Sequence, residues 1–180
     1  MIFAIYFISL AIYGFTEIYL QRKYSTFNVE KQDLSFIYIL FPFYMSLYLT
    51  PLEYYLTKPA LHIAPIITGF ALLYVGIIFR IVALQTLRHG FSTAIEAKVE
   101  VKLVTTGVYK YVRHPLYSTV LIIAMPGSII FSCTYCWLFV ALTLAGILFR
   151  ISKEEKFLVT HFEEYVEYSK RTKRIIPFIY

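Results

Sequence analysis

The residues of this chain best suited to chemistry fall in two clusters. One is the stretch Lys102-Leu-Val-Thr-Thr-Gly-Val-Tyr-Lys-Tyr-Val-Arg-His-Pro-Leu-Tyr117, with its cations, imidazole and three tyrosines. The other is Arg150-Ile-Ser-Lys-Glu154-Glu155. Guanidinium groups hold carboxylates through paired N–H donors, and a glutamate can take a proton. Brought together, such groups suit a polar, zwitterionic ligand meeting a lipid-like one. Taken singly, each residue has a plainer reading. His114 before Pro115 satisfies a backbone carbonyl where a helix starts with Pro in its first turn. Arg113 and Arg150 snorkel to an interface. Glu154 and Glu155 match a helix dipole. Tyr109, Tyr111 and Tyr117 belong to an aromatic belt in a chain of 17 Tyr. Only their order and spacing are specific.

The elements that would position these groups are apolar. Of 180 residues, 59% are hydrophobic, 19% aromatic and only 16% charged, with a mean hydropathy of +0.66. A soluble domain of this size cannot hide so much apolar surface, so the chain reads as a single all-α integral membrane domain over residues 1–180. Spans are expected at Ile2 to Leu20, at Leu34 to Leu49 (with Pro42 inside and Pro51 at the exit), and at Ile63 to Leu87, each near the length of about 20 residues that a bilayer needs. The first span lacks a basic flank and a cleavage site and reads as a helix, not a removed leader. Glu17 falls at headgroup level. Gly69 and Gly76 permit close helix approach, and Arg80 snorkels or faces a polar cavity. Thr50 to His62 reads as a connector.

Residues 88–180 form the second part of that domain. The polar interval Arg88 to Pro115 leads into two short spans, Leu116 to Phe131 and Thr134 to Ile151, in a tight hairpin whose first arm is kinked at Pro126-Gly127. Ser152-Lys-Glu-Glu155 fits a capping box. It predicts a new amphipathic tail helix to about Lys170, with Phe157, Leu158, Phe162 and Tyr165 on its apolar face. Lys170 to Arg174 then reads as an electrostatic anchor. Cys133 and Cys136 have no His or further Cys nearby and read as small apolar residues at the hairpin, not as a metal or redox site.

Five spans place the Gln21 to Asp33 loop, the Arg88 to Pro115 interval and the tail on one face. These hold nearly every Lys and Arg, whereas the opposite loops hold Lys58 alone. By the positive-inside rule the shared face is cytoplasmic and the N-terminus is outside. The net charge of +6 is then explained by topology and anionic headgroups, not by nucleic acid. The hairpin returns the chain to its starting face, so Arg113 and His114 are expected close to Arg150, Glu154 and Glu155.

Leu103-Val-x-x-Gly107-x-Tyr109-x-x-x-Arg113-His114-Pro115-x-Tyr117, with Arg150-x-x-x-Glu154-Glu155, Phe162-Glu-Glu-Tyr165-x-x-Tyr168 and Ile176-Pro177, resembles the isoprenylcysteine carboxyl methyltransferase family. The likeness covers about Leu87 to Pro177, and related phospholipid N-methyltransferases and membrane sterol reductases share similar patterns. Gly90-Phe91-Ser92 departs from the Trp-Ser of some members. The resemblance implies an S-adenosylmethionine-dependent methyltransferase. Carried over by position, the cofactor contacts are Lys102, Leu103, Val104, Tyr109, His114, Pro115, Leu116 and Tyr117. The substrate-side residues are Arg150 and Glu154, with Glu155 an adjacent candidate and no metal.

The reading that results is methylation of a lipophilic acceptor, of isoprenylcysteine carboxylate type, that enters from the bilayer while the cofactor enters from the cytoplasm. An ionised carboxylate needs no general base; an amine acceptor would, and Glu154 is then the candidate. The alternatives are a phospholipid amine N-methyltransferase, a nicotinamide-dependent reductase relative (disfavoured by the few spans) and a non-catalytic membrane scaffold.

Overall fold

The computed structural model describes residues 1–24, 34–87 and 103–177. Lys102 and Gly90-Phe91-Ser92 lie outside them, as do most of the two polar loops. The described chain is helical. It comprises α1 (Ile2–Tyr24), a 3-10 turn (Leu34–Phe36) running into α2 (Ile37–Tyr48), α3 (Thr50–Thr57) and α4 (Ile63–Leu87). A second 3-10 turn (Gly107–Lys110) precedes α5 (Pro115–Ala124), α6 (Pro126–Ile130), α7 (Trp137–His161) and α8 (Glu164–Arg171).

Two of these helices, α1 and α4, are long and apolar enough to cross a membrane; α2 and the α5–α6 pair are shorter apolar helices. The five spans expected correspond to two long apolar helices, two broken ones, and α7, which carries charge along its second half. The breaks have local causes. Pro51 lies in the first turn of α3, where its missing N–H costs nothing. It therefore starts a helix across Thr50 to Thr57, where a connector was expected. Pro126 does the same for α6, which produces the expected kink. Gly69 and Gly76 do permit close approach: a Cβ on Gly76 would stand 2.7 Å from Ile123, and one on Gly69 would overlap Ile130.

The core joins α1, α2, α4, the α5–α6 arm and α7 through Tyr6, Phe43, Leu73, Ile123, Phe131 and Ile147, all essentially inaccessible. Phe7, Phe15, Phe41, Ile67, Ile78 and Leu138 face outward as an exposed apolar belt. Inside this framework Glu17 and Arg80 meet each other. Arg80 Nε donates to Glu17 Oε2 at 2.5 Å and Nη2 to Oε1 at 2.6 Å. A charge removed from water requires such a partner. Arg80 Nη1 also reaches Thr119 Oγ1 (3.2 Å) and the Leu116 carbonyl (3.4 Å), which ties α1 and α4 to the first turn of α5.

The expected helix start at Ser152 does not exist. α7 runs unbroken through it, and Ser152 Oγ donates back to the Leu148 carbonyl at 2.9 Å. A serine tolerated inside a helix by this bond has the same local sequence as a capping box. The helix ends at His161, Phe162 is extended (φ −131°), and α8 follows as a separate short element.

Candidate active site

The loop before α5 is shaped by Gly107, whose φ of +58° lies in the left-handed region that favours glycine. A Cβ there would also meet Thr86 at 2.8 Å. The turn buries Tyr109, while Tyr111 stays exposed. Val112 then forms an isolated parallel bridge with Lys173. Arg113 N–H donates to the Lys173 carbonyl (2.7 Å) and His114 N–H to that of Arg174 (2.9 Å). Tyr168 adds a bond to the Tyr109 carbonyl (2.6 Å), and Ser118 one to that of Ile175 (2.6 Å). The tail is therefore docked on the loop, and its basic run is not merely a surface anchor.

Pro115 opens α5 and places His114 and Tyr117 opposite the charged turns of α7. Two adjacent carboxylates meet them there in different ways. Glu155 is saturated. It accepts from Arg113 Nε (3.0 Å) and from Arg174 Nε (2.9 Å) and Nη2 (2.7 Å), and Tyr165 Oη donates to it at 3.4 Å. Burial pushes its carboxyl pKa up, but the His114 ring and the two guanidinium groups overcome this and hold it at about 2. Arg113 in turn donates to the carbonyls of Ser169 (2.8 Å) and Thr172, fastening the end of α8.

Glu154 is a third exposed along its side chain and accepts one short bond, from Tyr117 Oη at 2.9 Å. Tyr117 Oη accepts from Arg150 Nε at 2.8 Å, and Arg150 Nη1 donates to Ser35 Oγ at 2.9 Å. A chain of donors thus runs Arg150, Tyr117, Glu154, with the guanidinium buried at 5% exposure. His114 is equally buried. Its Nδ1 lies 3.9 Å from Glu154 and its Nε2 3.5 Å from Glu155. The second contact is an ion-pair distance at the outer limit of hydrogen bonding, and Nε2 has no closer polar partner. A buried polar atom so placed calls for explanation.

The expected neighbourhood of Arg113, His114, Arg150, Glu154 and Glu155 is therefore assembled, with Tyr117 between its parts. Pro115 is buried, the Leu116 carbonyl is engaged by Arg80 and Thr119, and Leu103 and Val104 stand half-buried at the edge of the described loop. Sequence reasoning missed Ser35, a lone serine before an apolar run, and it gave Arg174 no inward role. It also missed Glu53. That carboxylate accepts from the N–H groups of Thr134 (2.6 Å), Tyr135 (2.9 Å) and Cys136 (2.8 Å) at the start of α7. Beside it Cys133 and Cys136 are buried free thiols, and Cys133 Sγ donates to the Thr50 carbonyl at 3.3 Å.

The isoprenylcysteine carboxyl methyltransferase (ICMT) family matches residues 67–160, just over half of the chain. The chain belongs to this family. Among its ICMT relatives, the protein-S-isoprenylcysteine O-methyltransferase of Saccharomyces cerevisiae is 28% identical over 199 residues, covering 98% of this chain and 80% of that protein. The Arabidopsis thaliana enzyme B is 34% identical over 62% of the chain and 58% of its own length. The human enzyme is 31% identical over 63% of the chain and 41% of its own length. This chain therefore spans most of the yeast protein and about half of the plant and human ones. A solved structure of the eukaryotic intramembrane Ras methyltransferase ICMT superposes with a TM-score of 0.64 at 24% identity, over 99% of this chain and 67% of that one. That likeness is one of fold.

Proposed function

We propose that this chain is an S-adenosylmethionine-dependent carboxyl methyltransferase embedded in a membrane, acting on a lipophilic isoprenylcysteine-type acceptor. Family membership supports the methyltransferase class. The observation that carries the site assignment is the buried Arg150–Tyr117–Glu154 chain beside a buried His114 whose Nε2 has no polar partner closer than 3.5 Å.

The donor set fits a zwitterionic cofactor. His114 offers a ring nitrogen, Glu154 a carboxylate for an amino group, and Tyr109, Tyr117, Leu103, Val104, Pro115 and Leu116 are the aromatic and apolar contacts that the family motif implies, with Lys102 next in sequence. When bound, S-adenosylmethionine supplies a methyl group activated on a sulfonium. The chain's own task is alignment and exclusion of water. An acceptor carboxylate is ionised at neutral pH, so no proton has to be removed from it. Arg150 holds that carboxylate, while Tyr117 fixes its Nε and Ser35 its Nη1. Glu155 is a positioning residue, since its oxygens are engaged by Arg113, Arg174 and Tyr165.

The membrane topology supporting this is one domain crossed five times, with residues 1–87 as its first three spans and 88–180 as the catalytic part. The Glu53 contacts and the Arg150 site lie about 20 Å apart along α7, at 1.5 Å per residue. The Lys58 end is outside and the site end cytoplasmic. The first test is calorimetric titration of detergent-purified protein with S-adenosylmethionine and S-adenosylhomocysteine. Saturable binding lost in His114→Ala is expected; no binding by folded protein would overturn the reading. Base-labile label on an isoprenylcysteine acceptor then separates an ester from a methylated amine.

A further inference from the structure

We infer that the basic pocket at the C-terminal end of α8 holds the phosphate of an anionic lipid headgroup. The cavity has a volume of about 330 Å³ and is lined by Arg113, Lys170, Arg171, Thr172, Lys173 and Arg174, a size that suits a headgroup-sized ligand. The end of a helix ordinarily repels anions, because its last carbonyls carry partial negative charge. Here Arg113 covers the Ser169 and Thr172 carbonyls, so that repulsion is met inside the protein.

Five cations line the pocket, and the described carboxylates that pair with them are two, Glu155 and Glu167. The Glu167 pairs with Lys170 (2.7 Å) and Arg171 (3.6 Å) are largely solvent-exposed. Exposed pairs contribute little, so a phosphate can replace Glu167 at small cost. The surroundings select a lipid over a free anion. The wall residues Lys173 and Arg174 run beside Val112–His114, just before the apolar run of α5. Ile176 follows them 44% exposed, and Pro177 is exposed too. Cations followed at once by outward apolar residues are the arrangement that meets headgroups and acyl chains together. Arg113 and Arg174 face the pocket while holding Glu155, so a bound headgroup touches the clamp that fixes the loop to the tail.

The test is native mass spectrometry of the full chain in detergent with phosphatidylserine or phosphatidylcholine, and with inorganic phosphate as competitor. Phosphatidylserine should be retained selectively, and Lys170→Gln/Lys173→Gln should weaken its retention roughly 30-fold, at about 1 kcal/mol per cation. Inorganic phosphate at the lipid's concentration should not displace it. Equal retention of phosphatidylcholine, or unchanged retention by the variant, would overturn the inference. Displacement by phosphate would overturn it in favour of a soluble anion. Arg171→Gln, expected to weaken retention less than the double variant, serves if that variant fails to fold. The readout is lipid retention and does not depend on methyl transfer.

Discussion

The two ends of α7 each bury a glutamate carboxylate against partners from distant parts of the chain, to different ends. At the start, Glu53 meets three backbone N–H groups of residues 134–136, where a helix N-terminus favours an anion. In the second half, Glu155 is filled by side chains from the loop and the tail, and the adjacent Glu154 keeps a third of its side chain exposed with one short bond, from Tyr117. A carboxylate whose oxygens are saturated holds structure; the incompletely satisfied one has capacity left for a ligand. Among the described residues the α7 turns opposite α5 set the two side by side, which is why we propose the site there.

The comparison would be broken most visibly at Arg150. Arg150→Ala should lower turnover on the order of 100-fold, through lost alignment of the acceptor, with a smaller effect on cofactor affinity measured by calorimetry. The reverse pattern would move Arg150 to the cofactor side. Glu155→Gln should destabilise the protein by about 3 kcal/mol, because it removes the negative charge that the buried Arg113 guanidinium faces. Glu154→Gln should change the thermal midpoint little while lowering activity, so equal effects on stability would erase the distinction between the neighbours.

The same contrast has a pH signature. The Glu155 carboxyl is lowered from 4.5 to about 2 on folding, so its contribution is fully present above about pH 5 and is lost as pH falls toward 2. The difference in thermal midpoint between wild type and Glu155→Gln should therefore be constant near neutrality and shrink in acid. At the other end of the helix, Glu53→Gln should cost about 1–2 kcal/mol and leave cofactor affinity unchanged. Gly107→Ala should cost at least about 1–2 kcal/mol for a side chain in the left-handed region, with the Cβ also meeting Thr86 at 2.8 Å, seen as a loss of thermal stability.

Much of this molecule was legible from residue order. Composition and apolar runs announce a helical membrane protein, because apolar side chains on this scale need lipid or a large core. The kink at Pro126 and the close contacts at Gly69 and Gly76 follow from proline's missing donor and glycine's missing Cβ. The Arg-His-Pro loop and the Arg150–Glu155 run were expected together because a hairpin returns the chain to the face it left.

What order alone did not decide is which polar group meets which. Glu17 with Arg80, Glu53 with residues 134–136, Ser35 with Arg150 and Arg174 with Glu155 carry no local pattern, since each partner is chosen by where helices pack. Ser152 makes the same point within one helix: a serine three residues before a glutamate reads as a cap, and only the packing of an unbroken α7 turns its hydroxyl back to Leu148. Local sequence fixes the periodicity and the breaks. Burial decides the pairings, because a charge or hydroxyl removed from water takes whichever partner the fold delivers.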